Sequence, residues 1–366
     1  MNARSAAVWR VIDTGLRSPA ENISLNRALL ESHQARHSPH TLRFLRFTPA
    51  ALVGFHQSVR QELREDYCRQ NGIAVQRRIT GGGAIYFDET QIGWELYLDK
   101  RAVGSADMQS IAGRICEAAA RGISRLGVDA RFRPRNDIEV GGRKVSGTGG
   151  AFDGDSLLYQ GTLLIDFDVE RMLRVLRIPA EKLSDKAVRS ARERVANLKE
   201  LLGNAPPLDE VQRCMVDAFA EEFGISFEPA AELSACEQEK YLEALAEIDT
   251  PEWVYQHDRP VSELPIREGI YRCRGGLLRA SVRIDVGRGR IKEVWLTGDF
   301  FVSPRRMVPD LEAALRDIPV AQLPERVSAF FARHPVEMLS LDPEDFTAVI
   351  TSALDTEPVA ETTPAG

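Results

Sequence analysis

The sequence predicts an α+β fold in which strands and helices occupy separate stretches of the chain. Short apolar runs separated by glycine-rich turns fill residues 73–166, and mostly helical spacing follows to about residue 247. A second hairpin-like alternation covers 267–297. Strands that cluster in this way, instead of alternating with single helices, argue against a doubly wound parallel sheet.

Local signals justify the elements in order. Residues 8–13 are predicted to form a strand, and residues 20–36 a helix because Ile23, Leu25 and Leu29 have helical spacing. A helix over 105–126 ends at Gly127. The remaining predictions are strands at 42–54, 73–79 and 84–98, a helix at 58–71, strands and tight turns through 129–166, helices to about 247 with an interruption at Pro206-Pro207, and a helix at 305–317.

The length of 366 residues suggests two domains. Pro251 stops the preceding helix and marks a boundary. We therefore expect a first domain at 1–250 and a smaller one at 251–348. The segment 349–366 ends in residues of low apolar density and is predicted to be a disordered tail.

Composition excludes several classes of function. The net charge of −7 indicates no broad basic surface for nucleic acid, so an acidic protein partner would need a local basic patch. No apolar stretch is long enough to span a membrane, and the N-terminus lacks the apolar centre of a signal peptide. The 5 cysteines form no C-x-x-C pair, which favours a reducing compartment over a zinc site. These features predict a cytoplasmic protein.

The first candidate site lies in residues 76–98, which read QRRITGGGAIYFDETQIGWELYL. Three consecutive glycines cost backbone entropy, and a common reason to keep them is close approach of the backbone to an anion. The neighbouring Arg77 and Arg78 indicate that the anion is a phosphate or carboxylate. The alternative is a glycine-rich turn between two strands with surface arginines.

The second candidate site lies in residues 133–165, where Asn136-Asp137 is followed by Lys144 and a run of small residues. A carboxylate such as Asp137 suits Mg²⁺. A lysine in a glycine-lined pocket can polarise a carboxylate and an α-phosphate together. Taken singly, Asp137 is more typical of a turn residue and Lys144 of a solvated strand lysine, but their order and spacing together favour a site.

These blocks resemble the lipoate–protein ligase A family of the biotin/lipoate ligase superfamily. Arg77–Asp88 is similar to its RR-x-[ST]-GGG-A-[VI]-[FY]-HD motif and Gly142–Gly147 to its G-x-K-[IV]-SG motif. Asn136-Asp137, Gly161–Leu164 and Val188–Leu198 match further blocks, and Gly298–Phe301 is similar to a block of the small accessory domain. The resemblance implies a mixed or antiparallel sheet related to class II aminoacyl-tRNA synthetases, with a small α/β accessory domain.

The resemblance also implies a reaction: ATP activates lipoate as lipoyl-AMP, and a lysine of a lipoyl carrier attacks it. The acceptors would be lipoyl domains of oxoacid dehydrogenase E2, glycine-cleavage H-type proteins or another lipoyl carrier. Lys144 would be catalytic and Asp137 would hold Mg²⁺. The residues implied for ATP and the adenylate are Arg78, Gly83, Ala84, Ile85, Tyr86, Asn136 and Lys144. Those implied for lipoate are Arg78, Thr80, Gly81, Gly82, Gly83, Lys144, Ser146, Gly147, Gln160, Gly161 and Thr162.

Two positions depart from the family pattern, because Phe87 and Gln160 stand where the family has histidine. Both positions are near the acyl pocket in the family, so the acyl preference is an open question. One alternative is an octanoyl or lipoyl transferase, but its cysteine nucleophile has no counterpart between Cys116 and Cys214. Another is a non-catalytic lipoate- or nucleotide-binding protein. A biotin ligase is disfavoured because its GRGRRG loop is missing.

Overall fold

The computed structural model describes residues 7–103, 108–134, 136–177, 192–259 and 265–358. The chain divides into two compact units. The first is formed by Met1–Leu52, Glu62–Ile79 and Ile85–Val254, and the second by Val53–Gln61, Thr80–Ala84 and Tyr255–Gly366. The second unit therefore includes the glycine-rich segment at 80–84 in addition to the C-terminal part of the chain.

The first unit contains an eight-stranded sheet and a three-stranded sheet. Its strands are β1 (Ala7–Arg17), β2 (Thr41–Phe47), β3 (Ala50–Val53), β4 (Ala74–Arg77), β5 (Ile85–Phe87), β6 (Gln91–Asp99), β7 (Ala130–Arg133), β8 (Asp137–Val140), β9 (Arg143–Asp153), β10 (Ser156–Leu164) and β11 (Ile225–Ala230). The large sheet has the order β11-β1-β2-β6-β10-β9-β8-β7 and the small one the order β4-β3-β5. Only β11 and β2 pair in parallel with β1 in the large sheet; the other neighbours are antiparallel.

Helices cover both faces of the large sheet. The described helices up to residue 255 are α1 (Pro19–Gln34), α2 (Val59–Glu62), α3 (Glu65–Gln70), α4 (Met108–Ser124), α5 (Val169–Val175), α6 (Leu198–Leu202), α7 (Leu208–Phe223), α8 (Ala235–Ile248) and α9 (Pro251–Tyr255), of which α2 lies in the second unit. On one face, α4 and α7 bury their apolar stripes with Phe44, Trp94 and Leu163. On the other, α1 packs against α8. The start of α1 is fixed by a capping box between Ser18 and Glu21.

The second unit has its own core. Its strands are β12 (Arg267–Cys273), β13 (Gly276–Asp285), β14 (Arg290–Gly298), β15 (Val302–Ser303), β16 (Ile318–Pro319) and β17 (Glu337–Met338), and its helices are α10 (Met307–Ala314), α11 (Leu323–Arg333) and α12 (Pro343–Leu354). The sheet has the order β12-β13-β14-β16. Phe300, Phe346 and Ile350 are fully buried in the core of this unit.

Together the two units confirm the predicted α+β class. The prediction of a disordered tail from residue 349 is wrong at its start, because Val349, Ile350 and Ala353 are buried on α12. The end of the tail, 359–366, lies outside the described residues. The strand β11 was also missed, since it pairs with β1 from a distant part of the chain. The predicted helix 58–71 is two short helices.

The division between the units falls after Val254, slightly beyond the expected boundary at Pro251. Hydrogen bonds fasten α9 to the first unit: Trp253 Nε1 donates to the carbonyl of Arg77 (3.0 Å), and Arg77 Nη2 donates to the carbonyl of Val254 (2.7 Å). Within the described residues, no helix is both long and apolar enough to cross a membrane.

Candidate active site

A β-bulge between β8 and β9 determines the face of the sheet on which the Lys144 side chain lies. The register pairs Ser146 with Ile138 but Lys144 with Glu139. Neighbouring residues of β8 point to opposite faces of the sheet, so the bulge places Lys144 and Ser146 on opposite faces as well. Ser146 is fully buried on the core side beside Ile138. The Ser146 side chain therefore faces away from Lys144, so Ser146 could contact a ligand at Lys144 only through its backbone.

The Lys144 ammonium group lies against Asp137 and two small residues. Its Nζ is 2.7 Å from Asp137 Oδ1, an ion pair whose two side chains are 38% and 29% exposed. The contact is an ion pair and not a hydrogen bond, because no N–H or O–H group of the described residues points at Asp137 Oδ1 with hydrogen-bond geometry. A Cβ on Gly147 would lie 2.9 Å from the Nζ, so glycine at this position makes room for the lysine. Thr162 lies opposite Gly147 in the sheet.

Besides the pairing of its strand with β8, the backbone of Lys144 forms hydrogen bonds with residues 194–196. Lys144 donates its N–H to the carbonyl of Arg194 (2.8 Å) and accepts the N–H of Ala196 (2.9 Å). These bonds form a short parallel bridge at Val195. Residues 194–196 of the matched block at 188–198 therefore hold the Lys144 backbone, a role that the sequence did not indicate. Val188–Ala191 lie outside the described residues.

Asn136 is fixed before Asp137 by Thr148. Thr148 donates its N–H (2.7 Å) and its hydroxyl (3.1 Å) to the carbonyl of Asn136, and Asn136 Nδ2 donates to the carbonyl of Thr148 (3.3 Å). The amide of Asn136 thus bonds to the protein itself. Sequence reasoning missed Thr148; its one signal was a hydroxyl residue within a run of glycines.

The two adjacent arginines have different surroundings. The guanidinium of Arg77 is fully buried and binds the carbonyls of Trp253 and Val254, which is a structural role. Arg78 is 6% exposed, and its Nη1 donates to the carbonyl of Leu52 (3.2 Å). Burial lowers the pKa of the Arg78 guanidinium to about 10, so it remains a cation at neutral pH.

The triple glycine approaches protein backbone closely. A Cβ on Gly81 would lie 2.4 Å from the carbonyl oxygen of Phe300, and one on Gly54 would lie 1.9 Å from the carbonyl oxygen of Gly82. Gly83 faces the Asp299 side chain at a greater distance. This packing within the second unit explains Gly81 without a ligand. Thr80, Gly81, Gly82, Gly83 and Ala84 therefore fall in the second unit, and the other predicted residues fall in the first.

The strand after the glycines is mostly core. Phe87 is 2% exposed and its ring packs 4.7 Å from that of Phe47. The ring of Tyr86 is also buried, with the Arg171 guanidinium 5.4 Å from its centroid. Ile85 packs beside the same apolar cluster as Phe87. Packing against Phe47 therefore accounts for phenylalanine at position 87 without a ligand.

The β10 residues divide between the two faces. A Cβ on Gly161 would lie 2.3 Å from the indole of Trp94, so this glycine is required by core packing. Gln160 pairs in register with Glu95, on the face opposite to Trp94. Gln160 and Thr162 therefore lie on the face that carries Gly147.

The structure thus brings Lys144, Asp137, Gly147 and Thr162 together on one face of the sheet, with Gln160 in the next row. Arg78 supplies a buried cation in the same unit. Within the described chain, no group of three or more histidine, cysteine or acidic side chains has the arrangement of a complete metal site.

The sequence matches the family model of the lipoyl protein ligase A/B catalytic domain over residues 18–220. It is 31% identical to lipoate-protein ligase A subunit 1 of Thermoplasma acidophilum, over 56% of this chain and 80% of that protein. It is 26% identical to lipoate–protein ligase 1 of Staphylococcus aureus, over 83% and 88%. It is also 28% identical to the octanoyltransferase LipM of Kyrpidia tusciae, over 68% and 98%.

Solved structures of lipoate–protein ligases have a similar fold. The bipartite lipoate protein ligase of Thermoplasma acidophilum, solved in a study of that ligase and its E2 lipoyl domain, superposes with a TM-score of 0.61 at 27% identity, over 69% of this chain and 98% of that one. A lipoate-protein ligase A bound with ATP superposes with a TM-score of 0.59 at 25% identity, over 69% and 98%. LipL1 of P. falciparum, at 17% identity, shares the fold over 90% of this chain and 96% of its own, with a TM-score of 0.70.

Sequence and fold agree over the segment that carries Lys144, Asp137 and the arginine pair. The family includes both ligases and octanoyltransferases. The chain belongs to the lipoyl protein ligase A/B catalytic domain family.

Proposed function

We propose that the protein is an ATP-dependent lipoate–protein ligase, which forms lipoyl-AMP and transfers the lipoyl group to a lysine of a lipoyl-carrier protein. The observation that carries this proposal is the site around Lys144, which offers cations for an acid and a phosphate but no thiol among its described residues. An adenylate route requires positive charge, whereas the transferase route requires a cysteine nucleophile.

The cysteines of the chain argue against the thioester route. No cysteine lies between Cys116 and Cys214. Cys116 is fully buried on the core side of the sheet, where its thiol contacts Thr148 and Tyr159. Burial raises the pKa of Cys116, which disfavours the nucleophilic thiolate. The octanoyltransferase relatives nevertheless make acyl transfer from a carrier the second candidate function.

In the proposed first step, a carboxylate oxygen of lipoate attacks the α-phosphorus of ATP. A mixed anhydride bond forms, the bond to the bridging oxygen breaks, and pyrophosphate leaves with the electron pair. Two anions must approach each other, so the barrier depends on positive charge held in place. Lys144 and Arg78 would supply it. In the second step, the acceptor amine attacks the acyl carbon, AMP leaves, and the amine loses a proton.

Asp137 is the residue that would hold Mg²⁺. Its carboxylate keeps lone pairs without a well-oriented hydrogen-bond donor, and Lys144 is its ion-pair partner. One carboxylate completed by substrate phosphates and water is a common environment for Mg²⁺. Glu139 lies on the same face but is paired with Arg133 at 2.7 Å. When bound, the ion would neutralise the phosphates, and Asp137 would orient it.

The proposed acceptor is the lipoyl domain of an oxoacid dehydrogenase E2, in line with the archaeal relative studied with its E2 lipoyl domain. H-type proteins and other lipoyl carriers are alternative acceptors. The ATP-bound neighbour supports ATP as the co-substrate. We place the activity in the cytoplasm, without a nucleic-acid or membrane partner.

The proposal is tested by measuring pyrophosphate release from Mg·ATP with free lipoate, without an acceptor. Parallel reactions contain an octanoyl-carrier protein and an unmodified lipoyl domain as acceptor, but no ATP. We expect pyrophosphate release that requires lipoate and is lost in Lys144→Ala. Octanoyl transfer without ATP, together with failure of free lipoate, would establish the transferase instead. Lipoate binding without either reaction would identify a binding protein.

A further inference from the structure

A buried polar cluster lies behind the candidate active site, on the core face of the sheet. It consists of Cys116, Thr148 and Tyr159, each at most 8% exposed. Thr148 Oγ1 is 3.0 Å from Tyr159 Oη, and Cys116 Sγ is 3.2 Å from Tyr159 Oη and 3.4 Å from Thr148 Oγ1. Burying polar groups in an apolar core costs free energy unless they are hydrogen-bonded to one another. The three side chains of this cluster meet that condition by bonding to each other.

The protons of this cluster can be assigned by counting donors. The hydroxyl of Thr148 has one proton, which it donates to the carbonyl of Asn136 (3.1 Å). With that proton used, the arrangement that satisfies all three groups has Thr148 accept from Tyr159 Oη and Tyr159 Oη accept from the Cys116 thiol. Burial raises the pKa of both Tyr159 and Cys116, so both keep these protons at neutral pH. Such a chain of hydrogen bonds is mutually strengthening.

The cluster connects directly to the charged groups of the site. Asn136 is the residue before Asp137, and three hydrogen bonds to Thr148 fix it: two involve the Thr148 backbone, and the third is donated by the Thr148 hydroxyl. Asp137 in turn is 2.7 Å from the ammonium of Lys144. Thr148 and Lys144 thus lie on opposite faces of one sheet and are connected through Asn136 and Asp137.

We propose that Thr148 is a positioning residue, whose hydroxyl, held by Tyr159 and Cys116, sets the location of Asp137 and thereby of the Lys144 ammonium. This inference rests on the proposed function for its catalytic consequence. Thr148 itself touches no reacting atom. Misplacement of a catalytic group by 1 Å can cost about 10²-fold in rate, so a partial displacement should cost about tenfold.

The test compares Thr148→Val, which keeps the shape and removes the hydroxyl, with Thr148→Ser, which keeps the hydroxyl. We expect Thr148→Val to lower kcat for pyrophosphate release about tenfold, with KM for lipoate changed less than about twofold. Thr148→Ser should restore kcat to within about threefold of the parent protein. Thr41→Val is the matched control, because Thr41 is a buried residue of the same sheet whose hydroxyl bonds to Pro39. It should lower the melting temperature without changing kcat.

A second readout does not depend on ATP chemistry. Trace acetylation of the intact protein, followed by mass spectrometry, measures how accessible the Lys144 amine is. Loss of the ion pair should raise its labelling relative to the other lysines at least about threefold in Thr148→Val but not in Thr148→Ser. If the parent protein releases no pyrophosphate, the proposed function fails while this comparison still decides the inference. Equal Lys144 labelling in the parent and Thr148→Val, or equal effects of Val and Ser, would overturn it.

Discussion

Gly147→Ala tests whether the location of the Lys144 ammonium controls the rate. A Cβ at this position would lie 2.9 Å from Nζ and 3.0 Å from Cε of Lys144, whereas ordinary contacts begin at 3.4 Å. The lysine head must therefore move by roughly 0.5 Å, and it can, because it is the far end of a flexible side chain. Since 1 Å of misplacement costs about 10²-fold, we expect kcat to fall about tenfold.

The fold should tolerate the same substitution. Gly147 has no positive φ, so alanine fits its backbone, and a glycine-to-alanine change at a compatible site stabilises by about 0.4–1 kcal/mol. We therefore expect the melting temperature to change little. The assay is pyrophosphate release, with a thermal melt of each protein.

The control is Gly113→Ala on α4, where an added Cβ meets no atom within 4 Å. That variant should have unchanged kcat and a slightly higher melting temperature. If Gly147→Ala retains kcat within twofold of the parent, the ammonium is not the group that limits adenylate formation, and the reasoning fails.

Three further predictions follow from single residues. Lys144→Ala should lower pyrophosphate release by about 10²–10³-fold with little change in melting temperature; activity within a few fold of the parent would remove the catalytic role. Phe87→His should lower stability by about 2 kcal/mol in urea melts, because it puts a polar ring against Phe47, and should leave the ratio of lipoate to octanoate activity unchanged. Burial holds the pKa of His33 at about 4, below its ordinary value of 6.5, with the charge of His40 as a lesser cause. Between these two pKa values the unfolded chain binds more protons than the folded one, so stability should fall as pH decreases from about 6.5 to 4. In thermal melts recorded at several pH values, His33→Gln should weaken this pH dependence, and an unchanged slope would contradict the prediction.

The chemistry of the site was easier to predict from the sequence than its packing. Lys144 and Asp137 could be assigned to one site in advance because their motifs are close in the sequence, but their ion pair was not predicted. The face of the sheet on which each side chain lies could not be predicted, because a single bulge places Ser146 on the face opposite to Lys144. A one-residue shift in register moves a side chain through the sheet, and no local pattern in the sequence marked the shift.

The glycines illustrate a second limit. Glycine permits close approach, but the sequence does not say what approaches. At Gly81 the neighbour is the backbone of Phe300, and at Gly161 it is the ring of Trp94. Both contacts are long-range, so local reasoning assigned them to a ligand. The α+β class was predictable because hairpin turns and helical periods are local, whereas β11 was not because its parallel partner β1 lies far away in the sequence, near the N-terminus.

The most direct test of the account is the intact mass of a lipoyl domain after incubation with the protein, free lipoate and Mg·ATP. We expect a mass increase of one lipoyl group on the acceptor lysine, which disappears without ATP and is lost in the Lys144→Ala variant. Modification of the domain from an octanoyl-carrier protein in the absence of ATP, with no reaction from free lipoate, would contradict the account.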